Sequence, residues 1–241
     1  IAGKKEAEGP LGSYFDRTEA DTRFGQKTWE QAETRLQELA LDTARQKAPP
    51  GCGDLDVLFA GDLLNQCVSS NYCVRDHSMQ FFGVYGACST MAETIILSAM
   101  AIDGGFAERC IAITSSHFCS AERQFRFPLE YGNQRPPSAQ WTVTGSGCLL
   151  LTDEDIPNMP KISAFCPGTI IDMGISDINN MGAAMAPAAA DTLKKYFRDT
   201  KTSPDSYDLI LTGDLGSIGH ELVKTLLERE NISLGANYLD C

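Results

Sequence analysis

The stretch "GVYGACSTMAETIILSAMAIDGG", residues 83–105, reads as the end of an apolar strand, a turn of small residues and a helix, with Cys88 at the strand–helix junction. A residue at that junction sits where the unpaired N–H groups of the first helical turn gather, and the macrodipole there favours negative charge. Those conditions favour thiolate and suit a nucleophile. They also describe an ordinary buried cysteine at a helix start. Working outward from this stretch decides how the rest of the chain is read.

Upstream, "KTWEQAETRLQELALDTARQK" at 27–47 places Trp29, Ala32, Leu36, Leu39, Ala40, Thr43 and Ala44 on one face, predicting an amphipathic helix stopped by "APPG". "LDVLFAG" reads as a buried strand, "SSNYCVRDHS" as a short serine-capped helix, and "MQFFGVYGA" as the strand before Cys88. "RCIAITSS" is a third strand, and "TVTGSGCLLLT" a fourth with a bulge or bend at Gly-Ser-Gly. Residues 117–141 carry little regular signal and read as a long loop, a length that in a compact domain usually serves function.

After the charged link "DEDIPNMP" the pattern restarts. It gives strand "KISAFCPGTII", loop "DMGISDINNMG", a helix over 183–200 with Pro187 in its early turns, strand "YDLILTGD" and helix "GSIGHELVKTLLERE". Two strands and two helices follow the link, and no closing strand is read at "YLDC". The alternation predicts parallel sheets covered by helices in two similar α/β halves, 1–155 and 156–241.

Bulk composition narrows the function. The 241 residues carry 20 Lys and Arg against 32 Asp and Glu, a formal charge of −12. Such a chain lacks the cations that neutralise phosphates, which argues against nucleic-acid binding and against direct attraction to anionic lipid. Nine cysteines, an odd number spread across the chain and several inside apolar runs, do not form a disulfide framework and point to a reducing compartment. There is no C-x-x-C pair, and "GHELVK" lacks the second histidine of H-E-x-x-H, so no metal site is expected. The most apolar run, "TIILSAMAI", is about half the roughly 20 residues a membrane span needs. Work at a membrane would therefore need a partner to hold the chain there.

A nucleophilic cysteine needs a base within hydrogen-bond reach. Of the three histidines, His77 reads as solvated and His220 as a surface or capping residue, whereas His117 follows a strand end directly. Strand C-terminal ends line the ligand crevice of open α/β sheets, so His117 is the candidate to share a crevice with Cys88, with a loop-anchoring hydrogen bond as the alternative. Asp62 and Asp214 also follow strand ends, as ligand-facing carboxylates or as caps of the next helix. Arg123 and Arg126, interleaved with aromatics, could clamp a carboxylate or pin their own loop.

"GACST" at a strand–helix junction, with "TVTGSG" downstream, resembles the thiolase superfamily. "EGPLGSYFD", "LFAGDLLNQ", "DGGFAER", "TSSH", "AERQFRFPLEYG", "MGAAMAPAAADT" and "YDLILTGDLG" are similar, more closely, to the stage V sporulation protein AD family of spore-forming bacteria, from about residue 8 onward. The resemblance implies a thiolase-like αβαβα sandwich of two pseudo-repeated halves, paired as a homodimer, with the second half incomplete in this chain and a longer start before "EGPLG". It implies a soluble, cytoplasmic-type protein held peripherally at the inner spore membrane by the membrane proteins of the SpoVA complex. There it binds dipicolinic acid, with or without calcium, for uptake into the developing spore; no further cofactor is implied.

Thiolase-type condensing enzymes pair their cysteine with two further groups, the first usually a histidine after the strand matching "DLILTGD". Here that position offers Gly213, Asp214 and Leu215, and the second group would lie beyond Cys241. The resemblance thus implies a binding protein without a catalytic set, its ligand-binding candidates being Cys88, Asp62, His117 and Arg123. An acyltransferase or condensing enzyme with Cys88 as nucleophile is the alternative. A scaffold whose pocket is vestigial is a third reading.

Overall fold

A computed structural model describes residues 1–50, 55–125, 138, 140–177 and 179–240, with the side chains of 122–125 outside that description. The chain divides into two units, Ile1–Gly132 with Thr142–Pro160, and Asn133–Trp141 with Lys161–Cys241.

The first unit runs β1 (Ala2–Gly3), α1 (Lys4–Ala7), β2 (Thr18–Glu19), α2 (Trp29–Lys47), β3 (Val57–Gly61), α3 (Val68–Arg75), β4 (Gln80–Gly83), α4 (Thr90–Asp103), β5 (Arg109–Ser116), α5 (Phe118–Phe125) and β6 (Gly145–Thr152). Its strands form one sheet in the order β2-β1-β6-β5-β3-β4. β3 lies parallel to β4 and β5, whereas β5 and β6 are antiparallel, so the sheet is mixed rather than wholly parallel.

Every residue of β3 is buried because both sheet faces are covered, which is why "VLFAG" reads as an unbroken apolar run. The period of two sorts its side chains. Leu58 and Ala60 pack with Ile111, Ile113, Ala40, Leu41, Cys73 and Val74 under α2 and α3. Val57 and Phe59 face the other way, with Cys110, against Leu97, Ala101 and Ile102 of α4. Each fully buried Leu or Ile in these layers contributes roughly 1.5–3 kcal/mol by leaving water.

Three local expectations are corrected. The helix in "SSNYCVRDHS" has no serine cap: its N-cap is Cys67, held left-handed at φ 53°, and Ser69 and Ser70 lie inside the first turn. Gly-Ser-Gly forms no bulge, since Gly145, Ser146 and Gly147 pair one-to-one with Ser116, Ser115 and Thr114. The region read as one long loop starts as a helix, α5, directly after His117.

The second unit holds α6 (Met181–Thr200), β7 (Ile210–Thr212), α7 (Gly216–Glu228) and β8 (Tyr238–Asp240), with β7 and β8 parallel. The closing "YLD" is therefore a strand after all, and residues 161–171, read as a strand, adopt no regular structure. Several of those residues are exposed, Ile170 almost completely, and they join no sheet among the described residues. The core joins Ala186, Ala190 and Phe197 of α6 to Val223 and Leu227 of α7, over Ile210 and Tyr238. The two helices approach closely at paired glycines. A Cβ on Gly182 would lie 2.2 Å from the Leu215 carbonyl oxygen, and one on Gly219 would lie 2.9 Å from Gly182 Cα.

Candidate functional site

Cys88 sits in a 3-10 turn, Ala87–Ser89, between β4 and α4, and is exposed. Ala87 holds φ at 50°, the left-handed region that side chains other than glycine rarely adopt, and this tightens the turn immediately before the cysteine. Ser89 Oγ donates back to the Gly86 carbonyl at 2.8 Å and makes no capping bond to α4. The Gly86 amide donates to Thr90 Oγ1 at 3.2 Å, closing the turn on itself.

The turn is braced from below. Val84 N donates to the Ala60 carbonyl at 2.8 Å, continuing the β3–β4 ladder, and Cys67 Sγ donates to the Val84 carbonyl at 3.3 Å. Gly61 fits where no side chain could. A Cβ there would lie 2.1 Å from Val84 O and 2.5 Å from Thr90 Cγ2. The arrangement presents a thiol at the positive end of a fourteen-residue helix, on a turn with little room to move.

Asp62, one residue past β3, is buried and capped by protein donors. Its Oδ1 accepts from Leu64 N at 2.9 Å, and Oδ2 accepts from Ser70 N at 2.8 Å and Ser70 Oγ at 2.6 Å. Because Ser70 lies in the first turn of α3, the helix-capping alternative describes this carboxylate. Burial nevertheless raises its pKa above the usual range, partly offset by those hydrogen bonds.

His117, at the end of β5, is also buried. Its Nδ1 accepts from Cys119 N at 3.1 Å, which leaves the proton on Nε2, 2.7 Å from the Thr22 carbonyl. The ring packs 5.4 Å from Trp29 and 6.3 Å from Phe24, and burial lowers its pKa, favouring neutral imidazole. Both nitrogens are committed to backbone, so neither remains for the sulfur of Cys88. The loop-anchoring alternative is the one this geometry fits.

Arg123 belongs to α5 by its backbone, and its side chain, like the whole of Arg126, lies outside the described residues. His77 is not simply solvated, since Arg45 Nη1 lies 3.2 Å from its Nδ1. His220 stacks on Tyr238 at 4.4 Å, the two rings nearly parallel. In the second unit Asp214 follows β7, its pKa raised by burial and by the charge of Asp240.

Two residues that the sequence reading passed over stand out. Glu33 and Gln37 lie fully buried on the apolar face of α2, beneath the ends of β3 and β5. Glu33 Oε1 accepts from Ser115 Oγ at 3.0 Å, and Gln37 Nε2 reaches Ser70, Ser115 and the Gly61 carbonyl. The signal was available: polar side chains four apart, each following an apolar neighbour on a core-facing stripe, need buried partners.

The family model for stage V sporulation protein AD matches residues 1–241. Stage V sporulation protein AD of Bacillus subtilis (strain 168) is 48% identical over 240 residues, covering the whole of this chain and 70% of that protein. The chain belongs to the stage V sporulation protein AD family. Its fold is thiolase-like. OleA of Xanthomonas campestris, crystallised with lauric acid and lauroyl-CoA, aligns at TM-score 0.58 and 10% identity, over 87% of this chain and 68% of that one. The 3-oxoacyl-[acyl-carrier-protein] synthase III of Aquifex aeolicus VF5 aligns at 0.54 and 13%, over 90% and 70%. The corresponding enzyme of Pseudomonas aeruginosa PAO1 aligns at 0.57 and 12%, over 86% and 67%. Membership of this sporulation family places the chain's role in sporulation, on a fold that it shares with condensing enzymes. Among the described residues no helix is long and apolar enough to cross a membrane.

Proposed function

We propose that this chain is a ligand-binding component of the SpoVA complex, taking dipicolinic acid, alone or as its calcium chelate, at the turn carrying Cys88. The observation that carries the reading is an exposed thiol on a braced turn at a helix start, with the histidine that follows β5, two strands away in the sheet, committed to backbone. In this reading the helix-start amides and the polarisable thiol face one carboxylate of a planar dicarboxylate. With His117 turned to backbone, this reading gives the sulfur a binding role rather than a covalent one. Asp62 and His117 act in this reading as supports that hold the ends of β3 and β5, and Arg123 as a cation toward the ligand. The protein associates with the inner spore membrane through the membrane proteins of the complex. It pairs with a second copy through the exposed edge of β4, where Phe82 and Tyr85 face outward.

Calorimetric titration of dipicolinate, with and without calcium, into the wild-type chain and Cys88→Trp tests the site. Binding that the pocket-filling side chain abolishes is expected; undiminished binding removes the assignment. The likeness to condensing enzymes favours one other reading, acylation of Cys88 by a thioester. Stoichiometric transfer of an acyl group from acyl-CoA to Cys88, seen by peptide mass spectrometry, would replace the binding reading with that one.

A further inference from the structure

Beneath the Cys88 turn a chain of buried polar groups crosses the first unit without a break. Asp62 Oδ2 accepts from Ser70 Oγ at 2.6 Å, and Gln37 Nε2 lies 3.0 Å from Ser70 Oγ and 2.9 Å from Ser115 Oγ. Ser115 Oγ donates to Glu33 Oε1 at 3.0 Å, and Glu33 Oε2 lies 2.6 Å from Ser120 Oγ, itself 3.0 Å from the His117 carbonyl oxygen. Glu33, Gln37, Ser70, Asp62 and Ser120 are each at most 1% exposed.

Counting hydrogens shows what this chain holds. Ser120 has one hydroxyl hydrogen and two acceptors within reach. Ser115 spends its hydrogen on Glu33 Oε1 while accepting one of the two Gln37 Nε2 hydrogens, and the other is shared between Ser70 Oγ and the Gly61 carbonyl. A proton on Glu33 Oε2 donates to Ser120, and Ser120 then donates to His117 O, leaving Gln37 Oε1 as the cluster's acceptor without a hydrogen-bond partner among the described residues. The charged group facing Glu33 is Asp62, from the connection after β3; β5 brings Ser115, α5 brings Ser120, α3 brings Ser70, and the neutral His117 ring is turned to Thr22. No lysine or arginine among the described residues pairs with either carboxylate. Two ionised carboxylates here would stand buried without a counter-charge, which is costly. Burial and the nearby Asp62 accordingly raise the Glu33 pKa to about 7.

The same chain touches the candidate site. Gln37 Nε2 reaches the Gly61 carbonyl at 3.2 Å, and Gly61 is the residue wedged against Val84 O and Thr90 Cγ2, under Cys88. We propose that the Glu33–Gln37–Asp62 cluster is a proton-dependent latch on the Cys88 turn. With one proton held by Glu33 the hydrogen bonds close and Gly61 is clamped; release of that proton to the buffer leaves two buried carboxylates that repel, and the clamp loosens. The inference stands whether or not dipicolinate is the ligand.

Iodoacetamide labelling of Cys88, resolved by peptide mass spectrometry from pH 5.5 to 8.5, tests it in the whole chain and in Glu33→Gln, whose amide keeps the neutral hydrogen-bonding pattern. Equal rates are expected at pH 5.5, with the wild type faster by at least about threefold at pH 8, where its turn opens more often. Superimposable profiles overturn the latch. So does faster labelling of Glu33→Gln at pH 8, the direction expected if loss of a negative charge merely favoured thiolate. Should Glu33→Gln not fold, carboxyl ¹³C NMR of the unaltered chain decides. A Glu33 carboxyl titrating near neutrality together with the Ser89 and Thr90 amides supports the latch. Titration in the ordinary glutamate range, or without those amides, refutes it.

Discussion

A single α-carbon, that of Gly61, sets how closely the end of β3 lies against the Cys88 turn. Gly61→Ala forces a methyl into Val84 O and Thr90 Cγ2. Overpacking of this kind costs about 3 kcal/mol, read as a lower urea midpoint, and should speed Cys88 labelling; an unchanged midpoint would show that the turn yields freely. Glu33 makes a second prediction at this scale. Its folded pKa, about 7, lies above its unfolded value near 4.5, so its neutral form stabilises the fold fully below about pH 4.5, and that stability is lost as pH rises through 7. The loss is on the order of 3 kcal/mol, and denaturation of Glu33→Gln should show a flatter profile from pH 5 to 8 than the wild type. The strand–turn–helix around Cys88 was legible because small residues separate a strand from a helix; whether the cysteine there is buried or exposed was not. Glu33 was legible only as an acid out of place on a core-facing stripe, because the partners that hold it, Ser115 and Ser120, arrive from 82 and 87 residues away.

Elements were most legible where local signals agree. α2 begins at Trp29 because Thr28 accepts from the Gln31 amide, and the periodicity picks out Ala32, Leu36, Leu39 and Ala40 of its buried face, though not Leu41. Thr28→Ala should lower stability by about 1 kcal/mol, seen in thermal or urea denaturation; no change would mean that water satisfies the orphan amides equally well. The α6–α7 contact rests on Gly182 and Gly219, and Gly219→Ala should separate the helices and cost about 2–4 kcal/mol, more than helix propensity returns. Where neighbours decide, the sequence misled. The cap of α3 is a left-handed Cys67 aided at a distance by Asp62, and Gly-Ser-Gly stays in register because β5 pairs with it residue by residue. "KISAFCPGTII" has strand composition but pairs with no strand among the described residues, whereas the short "YLD" gains a partner in β7. Strand formation depends on the partner as much as on the residues.

For the whole molecule, charge is the property read most directly. A chain of net charge −12 should not sediment with anionic vesicles or bind duplex DNA at about 0.1 M salt, where long-range attraction is already screened. Vesicle binding by the isolated chain would contradict the proposal that membrane partners recruit it. The thiolase-like character was visible in the motif around Cys88, and the family in longer stretches such as "AERQFRFPLEYG". The mixed direction of the first sheet was not, because the antiparallel return of β6 depends on pairing with β5 across the intervening 28 residues. The central claim is that a condensing-enzyme fold here holds a ligand at the start of α4 rather than turning one over. Electron density from a crystal soaked with dipicolinate tests it most directly. The account predicts an intact dicarboxylate against Cys88 and the first turn of α4; a ligand seated elsewhere, with that turn empty, would contradict it.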